Sequence, residues 1–411
     1  MNVVILEPVS SGWKLITKAK ECNHTVIVFT HNQGERVIPE EFLRFADRVE
    51  LVDTNDDQAV IDRAVKLNDD MGIDAVIPGF EYYVPLSNRV NHLLGNKGLN
   101  PKLVDHLRYK DLMRSSLEKA GVRIPRYRLV KHKEELEAAA QDVGFPLVAK
   151  PVDGSGSFNV RKVNNDHELR EAYQRIVSTT VTDLERTARG DVLLEEYLQG
   201  PEVSVEGLAD GEKIHYFSIT EKLLGPEPYF VEVGHIVSAP LDQETEERIH
   251  QYVSQVIKAL GVNLGPFHAE VRLTEQGPVL IEIGVRLAGD RICDLIYHAK
   301  GIDLYQLMID SYLGNPLSLP AQPKQRVAGI RFFVRENLKK YDMVEGLEHI
   351  HDLDGLIDFK IIIPTGQAIP EAESFMGRIG FFAVVKDDYD SLKHLLLQVD
   401  RQIKFKELTK K

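Results

Sequence analysis

The sequence predicts an α/β protein of two or three domains, and three features carry that reading. Over the first hundred residues, short all-apolar strands alternate with helices. Runs such as VVIL and AVIP lack the polar alternation of a half-exposed sheet, so they read as parallel strands covered on both faces. Farther on, residues 243–260 and 302–313 repeat apolar side chains at helical spacing, between stretches that alternate as strands. The length, 411 residues, exceeds what one small core organises.

In order, residues 2–6 read as a strand, 13–20 as a helix, 24–29 and 48–52 as strands, 58–68 as a helix, 75–78 as a strand and 86–94 as a helix. This is the pattern of a doubly wound parallel sheet, in which ligands gather at the carboxyl ends of the strands. The loop after the first strand lacks GxGxxG, so a dinucleotide has little local support. In the loop after the fourth, Glu81, Tyr82 and Tyr83 are placed to face a small polar substrate, with ordinary rim residues as the alternative.

Residues 101–124 are expected as one helix, with Lys110 and Arg114 sharing a face at i, i+4. A compact segment follows over 125–190. Its first strand, near 145–152, carries Lys150, and the loop Asp153, Gly154, Ser155, Gly156 and Ser157 comes at once, before a strand at 159–163 and a helix at 167–178. Small residues beside a lysine let backbone N–H groups approach phosphate oxygens. The loop is not a Walker A sequence, because the lysine precedes it, and a plain hairpin turn has the same composition.

Strands are expected at 200–206 and 212–224, then a helix at 243–260. Residues 268–273 and 279–283 read as a hairpin. Folding about Gln276 sets Glu270 opposite Glu282, Leu273 opposite Val279 and Val271 opposite Ile281. The polar face then holds His268, Glu270, Arg272 and Glu282, with Arg286 just beyond. Two carboxylates roughly 5 Å apart at Cβ repel each other unless a cation lies between them, and hard oxygen ligands suit Mg²⁺. Solvated acids with a salt bridge to Arg272 are the alternative. From about 325 onward, strands at 328–334, 359–363 and 380–385 and a helix at 389–399 form an α/β tail. It shows no catalytic constellation, and His349 and His351 read as surface residues.

Net charge is −13, from 63 acidic and 50 basic residues, which argues against general nucleic-acid or anionic-membrane binding and leaves a local basic pocket open. Cys22 and Cys293 alone supply neither a disulfide framework nor zinc-ligand spacing. No apolar run reaches the roughly 18 residues of a membrane span. The start, MNVVILEP, has no basic n-region or cleavage site. The expected setting is a reducing cytoplasm.

Read together, these pieces resemble the ATP-grasp superfamily. They are Lys110; Lys150 ahead of a glycine-rich loop; the hinge Glu195, Glu196, Tyr197 and Leu198; Gly200-x-Glu202; and Glu270 and Glu282 with Arg286 four residues later. Within the superfamily, GPFHAE ending at Glu270, IEIGVRLAGD ending at Asp290 and VEVGH at 231–235 resemble the bacterial L-amino acid ligases that form dipeptides. The likeness runs from about 107 to 313. It implies an ATP-grasp fold with an N-terminal doubly wound domain over 1–110, a small α+β lid over 111–190 and a C-terminal α+β domain over 191–411 that includes the tail. It further implies ATP and Mg²⁺, with Mn²⁺ able to substitute. The expected partners are amino acid substrates, without nucleic acid or membrane; a homodimer is expected by analogy.

The resemblance also implies roles. Lys110 and Lys150 would meet the α- and β-phosphates, and Gly154, Ser155, Gly156 and Ser157 would close over the γ-phosphate. Adenine would bond the hinge backbone around Glu196–Leu198, and Glu202 would accept the ribose hydroxyls. Glu270 and Glu282 would bind metal. Arg286 and the Gly289 N–H would stabilise the oxyanion, with His268 a contact to substrate, a proton acceptor for the attacking amine or simple support for Glu270. Glu232 and His235 would hold the donor's α-amino group. Asp290 would line the donor side-chain pocket and favour a polar or cationic side chain. Many superfamily members have a metal-binding Asn two residues after the second acid; this chain has Gly284 there, and the dipeptide ligases as a group lack that Asn too. Three readings compete: a ligase that loads an amino acid onto a carrier-protein thiol, a carboxylase acting on bicarbonate, and a nucleotide-binding regulator without activity.

Overall fold

Strands β1 (Asn2–Leu6), β2 (Thr25–Thr30), β3 (Arg48–Leu51) and β4 (Ala75–Pro78) form a parallel sheet in the order β3-β2-β1-β4. In β1, Val3, Val4, Ile5 and Leu6 are wholly buried, as cover on both faces requires. The structure is a computed structural model that describes residues 1–211 and 213–407; Glu212, the first residue of one expected strand, lies outside them. Neighbours on opposite sides of β1 open a crevice at its carboxyl end, between the loops that follow β1 and β4. Those loops touch. A Cβ on Gly12 would lie 2.0 Å from the Gly79 carbonyl oxygen, so the approach requires glycine.

Residues 101–124, expected as one helix, are two pieces: a 3₁₀ turn, Val104–Leu107, and a helix, Lys110–Lys119. Tyr109 between them is extended, and the Lys110 N–H donates to the Val152 carbonyl at 3.0 Å. Tying the helix start to the end of the lysine-bearing strand outweighs helix continuity, and it sets Lys110 beside the glycine-rich loop.

A second sheet holds β5 (Tyr127–Val130), β6 (Leu147–Pro151), β7 (Arg161–Val163) and β8 (Val192–Glu196), all antiparallel, in the order β5-β8-β6-β7. Helices Leu136–Val143 and Asp166–Ser178 supply its apolar cover.

The largest sheet begins with β9 (Glu202–Asp210), β10 (Lys213–Leu224), β11 (Glu232–Val237), β12 (Leu264–Thr274), β13 (Gly277–Gly284) and β14 (Val327–Phe333). After β15 (Met343–Glu345) come β16 (Leu356–Ile361), β17 (Gly380–Lys386) and β18 (Lys404–Lys406). The order β13-β12-β9-β10-β11-β14-β17-β16 makes the tail an extension of the central sheet. One face is apolar: Val203, Val205, Phe217, Ile219, Ala269 and Val271 pack with side chains of helices Gln243–Ala259, Ile292–Lys300 and Leu304–Leu313. The helix Ile292–Lys300 was not expected. The other face is polar, carrying Glu202, Ser204 and Glu206 on β9, Ser218, Thr220 and Lys222 on β10, and His268, Glu270 and Arg272 on β12, all buried or nearly so. A one-residue slip of β12 would drive these groups into the apolar layer. Burial of its large apolar side chains, about 1.5–3 kcal/mol each, therefore fixes the register.

The hairpin keeps the expected pairs Glu270 with Glu282 and Ala269 with Ile283. Beyond them a bulge intervenes: Val271 faces Leu280 and Leu273 faces Pro278, in place of Ile281 and Val279. The extra residue, Ile281, turns its carbonyl to Arg114 at 2.6 Å. A helix-to-sheet contact thus overrides the simple two-residue alternation. Both cysteines are free, and no helix among the described residues is long and apolar enough to cross a membrane.

Candidate active site

One cavity of about 760 Å³ opens where the three sheets meet. It is lined by Glu81, Lys110, Lys150, the loop Gly154–Ser157, the hinge Glu195–Leu198, Glu202, Glu232, His235, His268, Glu270, Glu282, Arg286, Gly289 and Asp290. Tyr82 and Tyr83, expected beside Glu81 to face substrate, are instead buried, their hydroxyls on Asp183 and Thr54.

At one end stand the lysines and the hinge. Lys150, on β6, meets Glu195 at 2.6 Å, and Arg114 holds the same carboxylate from the other side, Nε to Oε1 at 2.6 Å. Burial alone would raise the Glu195 pKa, but Arg114 and then Lys150 outweigh it and hold it at about 2. Glu195 is thus a buried anchor for two cations, while Glu196, Tyr197 and Leu198 continue along the cavity wall. Lys110 donates to the Gly154 carbonyl and meets Glu282, each at 2.8 Å. In the glycine-rich loop, Ser155 donates to Asp183 at 3.0 Å and Ser157 to the Phe230 carbonyl at 3.2 Å. Gly156 has φ +58°, and a Cβ there would lie 2.5 Å from the Phe375 ring.

Glu270 and Glu282 face each other across β12 and β13. Each also meets a lysine, Glu270 to Lys222 at 3.0 Å and Glu282 to Lys110. Among the described residues, no three His, Cys, Asp or Glu side chains converge on one metal position. A two-carboxylate oxygen set fits a hard divalent cation that completes its shell with phosphate oxygens and water.

His268 lies between Glu206, 2.9 Å from Nδ1, and Glu270, 3.3 Å from Nε2. Burial disfavours its charged form, yet the hydrogen bonds to Glu206 and Glu270 outweigh this and raise its pKa to about 9. With both ring nitrogens on carboxylates, His268 is placed to orient Glu270, the supporting position named among its expected roles. Glu81 is also redirected. Its Oε2 accepts from Arg286 Nε at 3.0 Å and from Nη2 at 2.7 Å, so its charge is committed to Arg286 and not left for substrate. Burial would raise the Glu81 pKa; Arg286, Arg108 and Lys110 bring it down to about 2. Arg286 runs over Gly284, where a Cβ would be 3.4 Å from three of its atoms, so a larger residue at 284 would press on the guanidinium. Beside Gly289 the space is open: a Cβ there would meet nothing within 4 Å.

Two cations in the cavity were missed. Lys222 meets Glu202 at 2.6 Å, Glu270 at 3.0 Å and Glu232 at 3.4 Å, and these acids hold its pKa above the usual value against the opposing effect of burial. Its signal was present: Ser218, Thr220 and Lys222 recur at every second residue of the strand, with Phe217 and Ile219 on the other face. Arg378, from the tail, donates to Asp290 at 2.6 Å and to Glu232 at 3.0 Å. The tail, in which no catalytic constellation was expected, therefore lends a residue to the cavity. Asp290 also contacts His235 Nε2 at 2.9 Å. It lines the cavity as expected, but its carboxylate is already matched by two partners, which bears on the expected polar or cationic donor side chain.

Residues 143–294 match the ATP-grasp domain family. Dapdiamide A synthase of Enterobacter agglomerans is 30% identical over 356 residues, 80% of this chain and 78% of that enzyme. Alanine–anticapsin ligase of Bacillus subtilis (strain 168) is 27% identical over 282 residues, 64% of this chain and 59% of that protein. The crystal structure of an L-amino acid ligase from Bacillus licheniformis superposes with a TM-score of 0.82 at 22% identity, covering 99% of each chain, which shows a shared fold. With this cavity and these relatives, the chain belongs to the ATP-grasp superfamily and, within it, to the L-amino acid ligases.

Proposed function

We propose that this ligase uses ATP to convert the carboxylate of one L-amino acid into an acyl phosphate, which the amine of a second amino acid attacks to give a dipeptide, ADP and phosphate. The observation that supports this most is the joining in one cavity of phosphate-facing lysines, a cross-strand carboxylate pair and a fixed arginine.

In this reading Lys110 and Lys150 neutralise the inner phosphates, and Lys222 adds a third ammonium along the phosphate path. The loop Gly154–Ser157 covers the terminal phosphate and keeps water from the acyl phosphate, which would otherwise hydrolyse. Adenine lies against the backbone of Glu196–Leu198, and Glu202 takes the ribose hydroxyls. Glu270 and Glu282 would hold Mg²⁺, which neutralises charge on the transferring phosphoryl group. Arg286, kept in place by Glu81, donates to the donor carboxylate as it attacks and then to the oxyanion formed when the amine adds; the Gly289 N–H is the second donor. The amine enters uncharged. As the C–O bond to phosphate breaks, the departing phosphate carries off the extra amine proton, so His268 need not accept one. Glu232 and His235 face the donor's ammonium group. The protein is proposed to act in the cytoplasm, and as a homodimer by analogy with the superfamily.

Equal amounts of ADP, phosphate and dipeptide from ATP, Mg²⁺ and two amino acids would be the result expected of this reading. His268→Gln separates support of Glu270 from proton transfer. The Mg²⁺ concentration for half-maximal rate should rise about 10–100-fold, with the shape of the kcat–pH profile kept. Loss of one limb of that profile, with Mg²⁺ dependence unchanged, would restore His268 as a base.

A further inference from the structure

Asp290 is the most open member of a cluster in the cavity wall, its side chain 28% exposed, and it is not free. One oxygen meets Arg378 Nη1 at 2.6 Å and the other His235 Nε2 at 2.9 Å. The same guanidinium donates through Nη2 to Glu232 at 3.0 Å and through Nε to the Glu232 carbonyl at 3.1 Å. Phe332 supports it from one face, ring centroid 4.0 Å from Cζ. Four contacts fix one arginine between two acids, and Lys222, 3.4 Å from Glu232, adds further positive charge. A cationic side chain entering here would face Arg378 and Lys222 and acids that are already paired. An anionic one would face Asp290 and Glu232, with the matching arginine already engaged. On the same turn as Arg378, Phe375 and Met376 line the cavity with 38% and 45% of their surface exposed, which leaves apolar area for a ligand to cover.

We infer that Arg378 is a specificity-determining residue that closes Asp290 to the substrate, so that the ligase takes a donor amino acid with an uncharged side chain. This inference rests on the ligase reading above. Arg378 acts by matching charge: removing it uncovers Asp290 and admits cationic donors, and removing Asp290 frees the guanidinium for anionic ones.

The test is a donor-competition assay, with tandem mass spectrometry identifying the N-terminal residue of each dipeptide, because the donor becomes that residue. Wild type, R378Q, R378K, D290N and R378Q/D290N are each given alanine, lysine and glutamate as competing donors with one fixed acceptor. Wild type should favour alanine. R378Q should raise the lysine-to-alanine ratio by about tenfold or more, the scale on which close charge pairs discriminate. R378K, which keeps the charge, should stay near wild type. D290N should raise the glutamate-to-alanine ratio, and the double variant should cancel both shifts. A wild type that prefers lysine overturns the inference, as does a D290N ratio shifted only against lysine; either remains readable if R378Q fails to fold. Dipeptide from wild type with unshifted ratios in the variants sinks this inference alone. No dipeptide from wild type with any donor sinks the ligase reading and this inference with it.

Discussion

Arg286→Ala is expected to lower kcat by about 10²–10³-fold, or about 3–4 kcal/mol of barrier, the usual cost of one lost oxyanion donor. The guanidinium is only partly exposed, 23% of its side chain, and Glu81 fixes it through two donors. It reaches the cavity with its orientation set before substrate arrives, which is what makes a donor effective in the transition state. Nucleotide binding should change little, because Lys150 and Lys110, proposed to meet the phosphates, are held by other partners, Glu195 and the Gly154 carbonyl. Arg286→Lys keeps the charge and loses the planar fork, so its rate should fall between the two. Single-turnover ADP formation at saturating substrates reads the chemical step; a matching loss of ATP affinity would contradict the assigned role. Truncation also strips Glu81 of its main partner, 3.8 Å from Arg108. Glu81→Gln in the wild-type background should therefore give a milder loss in kcat.

Glu195→Gln should have the largest effect on stability. Arg114, Lys150 and Glu195 are all nearly inaccessible, and the two cations share one carboxylate. Neutralising it leaves two buried charges without a counter-ion, an arrangement that costs about 3–5 kcal/mol. Arg114 keeps the Ile281 carbonyl turned toward it by the bulge, while it and Lys150 are left with one neutral amide oxygen where they had two carboxylate oxygens. The first unfolding transition in urea should move to lower denaturant. A second effect appears in binding. Burial pushes the Lys150 pKa down, Glu195 opposes this, and Arg114 and Lys110 push it further down. Without Glu195 the ammonium deprotonates at lower pH, so the alkaline limb of ATP binding should shift to lower pH. Unchanged urea and pH profiles would show that Glu195 is not the anchor the geometry describes.

Local sequence carried much of this site because several of its residues lie on short, regular pieces. The cross-strand pairing of Glu270 with Glu282 follows from alternation alone, and Lys150 ends a strand next to a loop that its composition marks. Tertiary contacts decided the rest. The Ile281 bulge answers to Arg114, 167 residues earlier in the chain, and the break before Lys110 answers to Val152. Neither leaves a mark in hydrophobic spacing. Arg378 is harder still: it is one arginine in a tail turn, and only the folding of β14, β17 and β16 onto the central sheet brings it to Asp290 and Glu232. The same contact pairs the carboxylate of Asp290, because an acid read alone looks open until its partner is found. His268 was legible as a residue of the site, with three roles open, and Glu206, which reaches it from a neighbouring strand, was not.

The most direct test follows the donor's oxygen. A donor amino acid labelled with ¹⁸O at both carboxylate positions is incubated with ATP, Mg²⁺ and an unlabelled acceptor, and phosphate and dipeptide are analysed by mass spectrometry. Attack of the carboxylate on the terminal phosphorus followed by displacement of phosphate leaves one ¹⁸O in the dipeptide carbonyl and carries one into each phosphate released. One ¹⁸O per phosphate, in step with dipeptide and ADP, is the predicted result. Unlabelled phosphate, or neither amide nor ADP from any pair of the twenty amino acids, would contradict it.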